Sequence, residues 1–201
     1  MKKAQAQRHD CCHEAGHAVA GVINGDKLVL VVAYADAPMS ENQRALYETA
    51  TRGKSKRGAT LLKRGQPNCS CGGRVECNAI SMFRRRFYPG NPLCERCLDF
   101  VIKEVAAILA GGVATRIVMQ GTPHPLELRE DGNDLSTYLI QFDDKQRAEI
   151  RDQANSLAEK WIEQGKIAVL AVTDALQVQG VLDGIGAERI IRQNLSSTGK
   201  L

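Results

Sequence analysis

The sequence predicts a mostly helical α+β domain, with a small sheet near its N-terminal third and a Cys-rich insert. Three observations predict it. Residues 4 to about 23 are Ala-rich and free of proline, and after Cys97 apolar residues recur at helical spacing. One run, "KLVLVVAY" at 27 to 34, is rich in β-branched residues and reads as a strand. Five of the seven cysteines fall between positions 69 and 97, in a polar, basic stretch broken by glycine and proline.

The first helix is Ala-rich, lacks proline and meets a C-terminal stop at Asn24-Gly25. After the strand at 27 to 34 the pattern degrades, and residues 36–97 read as an insertion within a single domain spanning 1–201. "GATLLKRG" is a candidate second strand inside it, and 67–97 is its Cys-rich element. Order returns with "LDFVIKEVAAILAGGVATRIVMQG", which stops at Gly121-Thr-Pro. "NDLSTYLIQF" opens another helix, with Asn133 or a neighbour as its cap. Residues 143 to 164 form a long amphipathic helix, "KIAVLAVTDALQVQG" a further one closed by Gly180, and "VLDGIGAERIIRQ" a final turn and helix.

At 201 residues the chain is long enough for one real core. With 43% hydrophobic, 25% charged and only 4% aromatic residues, that core rests on Leu, Ile, Val and Ala. The net charge of +4 is too mild to argue for nucleic acid or anionic lipid. "MKKAQAQRHD" has no apolar run behind its lysines, so it is not a secretory signal. The longest apolar stretch carries Lys103, Glu104 and Arg116, so no membrane span is expected. The chain reads as cytoplasmic, and an odd cysteine count there means reduced thiols or metal ligands.

"HDCCHEAGHAVAG" carries the chemistry. His13 and His17 lie four apart and so share one helix face, a spacing that suits two corners of a zinc tetrahedron. A zinc ion held there lowers the pKa of a coordinated water toward neutrality, and Glu14, beside the first ligand, can take that proton as the water attacks a carbonyl. The plain alternative is a helix with two surface histidines. The small residues Ala15, Gly16, Ala18 and Ala20 speak against it, because they let another element pack close. A third ligand is needed. The metzincin spacing would place it at Ile23, which excludes that class; His124, Glu127, Glu130, Asp131 and Asp134 remain, and spacing does not choose among them.

"HEAGHAVAG", "LAGGVATRIVMQG" and "DGNDLSTY", in that order, resemble the peptidase domain of the FtsH-type ATP-dependent zinc metalloproteases, and the closing "ALQVQGVLDGIGAERI" is similar as well. The resemblance covers roughly the first 35 residues and the last hundred. It implies a helical zincin-like metallopeptidase fold, with Glu14 as general base and with His13, His17 and Asp134 as zinc ligands. His124 is the rival to Asp134. The family's ring assembly makes a homo-oligomer part of the same implication. The chain departs from the family in having no G-x-x-x-x-G-K-[ST] nucleotide motif and no transmembrane anchor, and in carrying Val113 and Arg116 where the family has Arg and Glu. Its polypeptide substrate would then be unfolded or extended, laid along an edge strand such as 27 to 34, or be delivered by an ATPase in trans.

Four of Cys69, Cys71, Cys77, Cys94 and Cys97 can hold a second, structural zinc, with Cys94-x-x-Cys97 as the knuckle. Free thiols or a transient disulfide are the alternatives. Arg84, Arg85 and Arg86, flanked by Phe83, Phe87 and Tyr88, could stack on and neutralise single-stranded nucleic acid, although such runs are more often solvated loop faces. Cys11 and Cys12 precede the ligands and point away from their face, as buried small residues. His9, one turn before His13, shares the ligand face and could line the cleft, but reads rather as a plain surface histidine. A second function class stays open beside the peptidase: a non-proteolytic regulatory or binding module that keeps the zinc fold and uses the Cys-rich basic insert to contact nucleic acid or a protein.

Overall fold

The computed structural model describes residues 2–51, 57–63, 74–76, 86–88, 94–121, 131–132, 135–136 and 138–196. The chain is mostly helical with a small three-stranded antiparallel sheet. In order, it forms α1 (Lys2–Ile23), β1 (Lys27–Tyr34), α2 (Glu41–Thr51), β2 (Arg57–Lys63), β3 (Arg74–Glu76) and β4 (Arg86–Tyr88). There follow α3 (Glu95–Val118), α4 (Asp144–Gln164), α5 (Lys166–Gln179), β5 (Val181–Asp183) and α6 (Gly184–Ser196). Residues 131–132, 135–136 and 138–139 are also helical. No described helix is long and apolar enough to cross a membrane.

α1 is the axis of the molecule. It packs against α3, α4, α5, α6 and the sheet, and every residue from 11 to 22 is buried. A helix enclosed on all sides carries no polar stripe and needs small residues where its neighbours cross. At Gly16 an added Cβ would lie 2.6 Å from both the Ala110 carbonyl oxygen and the Ala114 Cβ of α3, so any side chain there would force the two helices apart. The helix stops where expected. Gly25 takes φ +87, and the bonds Asp26 N–H to Gly21 O (2.9 Å) and Gly25 N–H to Val22 O (3.1 Å) make a Schellman cap.

The sheet runs β2-β1-β5 with both pairings antiparallel. β1 is therefore the central strand. This corrects the expectation that residues 27 to 34 offer an edge to substrate, because both sides of β1 are already paired. Its sequence shows why an edge assignment was the wrong reading. Val31 and Ala33 face the helical core, while Leu30 and Val32 join Ala59, Leu61 and Val181 in a second cluster with Tyr47 of α2. A strand buried on both faces is a continuous apolar run, and such runs belong to sheet interiors.

Residues 41–51, expected as loop, form α2, which covers that second face with Tyr47, Leu46 and Ala50. "GATLLK" is the second strand it was expected to be, running antiparallel to β1 from Arg57 opposite Tyr34 to Lys63 opposite Lys27. The closing "VLD" is a strand rather than a turn, paired with Leu30 to Val32. The helix expected over 143 to 164 is α4, which starts at 144 under a capping box made by Asp143 and Gln146, and Gly180 ends α5 at φ +73, as expected.

Candidate metal centre

α1 carries His13, Glu14 and His17 into the centre of the fold, with 4%, 8% and 3% of their surfaces exposed. The two imidazole rings stand nearly perpendicular at 86°, with their Nε2 atoms 3.0 Å apart. Asp131 arrives from a remote segment. Its Oδ2 lies 3.6 Å from His13 Nε2 and its Oδ1 3.7 Å from His17 Nε2. Four ligands at ordinary zinc distances are about 3.3–3.4 Å from one another at tetrahedral corners. The Nε2 pair is near that value, Asp131 offers one of its two oxygens, and the three donor atoms lie within 4.8 Å of one another, so these residues form a buried group that can hold a metal ion.

Hydrogen bonding points the same way. His17 Nδ1 lies 2.9 Å from the Ala107 carbonyl oxygen of α3. A carbonyl can only accept, so Nδ1 carries the proton and donates it, and in the neutral form of the ring the lone pair lies at Nε2, toward His13 and Asp131. A backbone carbonyl behind a ligating histidine fixes both tautomer and ring orientation. α3 also makes room for the centre. An added Cβ at Gly111 would sit 2.5 Å from His17 Nε2 and 2.8 Å from His13 Nε2, so glycine keeps open the space on which the nitrogens converge.

Glu14 is held from the sheet. Thr60 of β2 lies within hydrogen-bond distance of the Glu14 carboxylate, Oγ1 to Oε2 at 2.8 Å, and of its backbone carbonyl at 3.0 Å. Two of the residues that shape the site, Gly111 and Thr60, were not singled out by the sequence reading. The only signal for Gly111 was its place in "LAGGVATR", and Thr60 left none.

Of the five candidates for the third ligand, only Asp131 is among the described residues, and it lies with the histidines. Asp134, favoured by resemblance, lies outside the described residues, as do His124, Glu127 and Glu130. His9 is half-buried, its ring against Gly121 at the end of α3, where an added Cβ would meet His9 Cε1 at 2.5 Å. The two departures from the family pattern lie in α3. Val113 is in the core, and Arg116 pairs with Glu159 of α4 at 2.6 Å, an exposed contact of little energetic weight.

Of the Cys-rich element, Cys69, Cys71 and Cys77 lie outside the described residues, as do Phe83, Arg84 and Arg85. The backbone of Arg74–Glu76 pairs with that of Arg86–Tyr88. Cys94 stands half-buried at the start of α3, and Cys97, in its first turn, is fully buried in the core.

Cys11 and Cys12 are fully buried, as expected. Burial pushes the Cys11 thiol up to about 12, and the neighbouring Asp10 and Glu14 carboxylates add to the shift. The folded protein thus binds this proton more tightly than the unfolded chain. That contribution to stability is complete below the ordinary thiol value of 9.0 and is lost progressively as pH rises toward 12. In the metal-free protein, urea unfolding followed against pH is expected to show stability falling faster for wild type than for Cys11→Ala above pH 9. Parallel curves would refute the assignment.

A scan against protein-family models finds no match to this chain, and a search of curated proteins finds none either.

Proposed function

We propose that the chain is a zinc-dependent endopeptidase that hydrolyses unfolded or extended polypeptides, in the manner of the FtsH-type peptidase domains its motifs resemble. The observation that carries this reading is the buried convergence of His13, His17 and Asp131 with Glu14 beside them on the same helix. Two imidazoles and one carboxylate are a zinc donor set that leaves one position open, as catalytic rather than structural zinc sites do. When bound, the ion would supply a Lewis acid that makes a water nucleophilic at neutral pH.

The chain's own groups account for the rest. Glu14 takes the proton of the attacking water and returns it to the leaving amine, so no net proton is consumed. His17, locked by the Ala107 carbonyl, and Asp131 hold their donor atoms without needing to reorganise. β2 is an edge of the sheet among the described strands, and it lies against Glu14 through Gly58 and Thr60. It replaces β1 as the strand along which substrate would lie. Main-chain pairing to such an edge selects extended segments with little regard for side chain. Folded substrates would need an ATPase in trans.

The deciding experiment measures zinc content and casein hydrolysis before and after chelation, for wild type, Asp131→Ala and Asp134→Ala. Expected are zinc-dependent activity in wild type, and loss of both metal and activity in Asp131→Ala. Loss confined to Asp134→Ala would transfer the third ligand to that residue. Wild type that binds zinc but cuts neither casein nor short peptides would overturn the peptidase.

A further inference from the structure

We infer that Thr60 is a positioning residue for Glu14, a role that rests on the metallopeptidase reading. A threonine hydroxyl has one proton to donate and here faces two acceptors, the Glu14 carboxylate oxygen Oε2 at 2.8 Å and the Glu14 carbonyl at 3.0 Å. The shorter contact is to the side-chain oxygen rather than to the backbone carbonyl. Both partners are buried, Thr60 at 1% exposure and Glu14 at 8%, so water competes little for either group.

The approach is built into the sheet. Thr60 stands opposite Val31 in the register between β1 and β2, which fixes its backbone. Two residues earlier, Gly58 has no Cβ; one placed there would lie 2.7 Å from Glu14 Cγ and 2.6 Å from the Val32 and Ala33 carbonyl oxygens. β2 thus comes close enough to Glu14 for its side chain to be held at Oε2. A glutamate has three side-chain torsions, and a general base that wanders loses rate steeply: misplacement by about 1 Å costs on the order of a hundredfold. Thr60 removes that freedom before substrate arrives.

The test compares wild type, Thr60→Val, which keeps the shape without the hydroxyl, and Thr60→Ser, which keeps the hydroxyl, each also in a Glu14→Gln background. The readouts are zinc content, kcat and KM on a fluorogenic peptide, and affinity for a peptide hydroxamate by calorimetry. A hydroxamate binds a site zinc and also engages the neighbouring carboxylate, so it reports on Glu14 without turnover. In Thr60→Val, kcat is expected to fall by about ten- to a hundredfold with KM and zinc content unchanged. Hydroxamate affinity falls with it. Thr60→Ser restores both to within about threefold, and Thr60→Val adds nothing once Glu14 is glutamine, because the two act as one unit.

Undiminished kcat in Thr60→Val would overturn the role, as would zinc loss that serine does not rescue or effects that add to those of Glu14→Gln. Wild type that neither cuts the peptide nor binds the hydroxamate would instead sink the metallopeptidase reading, and this role with it.

Discussion

Glu14→Gln is expected to reduce peptide hydrolysis to a small residual rate while leaving zinc content unchanged. The amide has the shape of the carboxylate and can still accept from Thr60, so the local packing persists. What it loses is the capacity to take a proton. A positioned general base contributes about 10²–10⁴ in rate, equivalent to roughly 3–5 kcal/mol of transition-state stabilisation. The loss should fall on kcat, since the group acts on the attacking water rather than on substrate binding. Measured beside wild type at equal zinc occupancy, residual activity within about tenfold of wild type would remove Glu14 from the chemistry.

Gly111→Ala is expected to cost the protein its metal. Gly→Ala inside a helix ordinarily stabilises by up to about 1 kcal/mol, because glycine carries the larger entropic penalty. Here the sign reverses. The new Cβ would stand 2.5 Å from His17 Nε2 and 2.7 Å from His13 Cε1, so either α3 must retreat or the imidazoles must turn. Helix retreat is resisted at the same crossing by Gly16 against Ala110 and Ala114. Overpacking of this kind costs about 1–3 kcal/mol in the metal-free protein. Turning the rings breaks the convergence of donor atoms, and zinc affinity should drop at least about a hundredfold, beyond what loss of an outer-shell partner alone produces. Gly132→Ala is the control: it is next to Asp131 in the chain, and a Cβ there meets nothing within 4 Å. Zinc titration of the two variants beside wild type tests the argument. Equal affinity in Gly111→Ala would show that α3 does not bound the site.

Local patterns in this chain were legible where neighbouring residues share one environment. α1 and β1 were read from composition and ended at the expected punctuation, because α1 is rich in small residues without proline and β1, buried on both faces, is a continuous apolar run. α2 was not legible, since "ENQRALYETAT" fully buries only Tyr47 and Thr51, with Leu46 and Ala50 half-buried against the second cluster. β5 has three residues, and only pairing with β1 makes it a strand.

The site divides along the same line. By itself the sequence determined that His13, Glu14 and His17 share one helix, since i and i+4 on a helix are neighbours whatever the rest of the chain does. That Asp131 lies beside the histidines, that Gly111 leaves space there and that the Thr60 hydroxyl meets Glu14 are visible in the tertiary structure alone. Asp131, Gly111 and Thr60 reach α1 from three other segments of the chain. Contacts between distant segments depend on how α3 and β2 cross α1, and that follows from packing the whole core rather than from any local spacing.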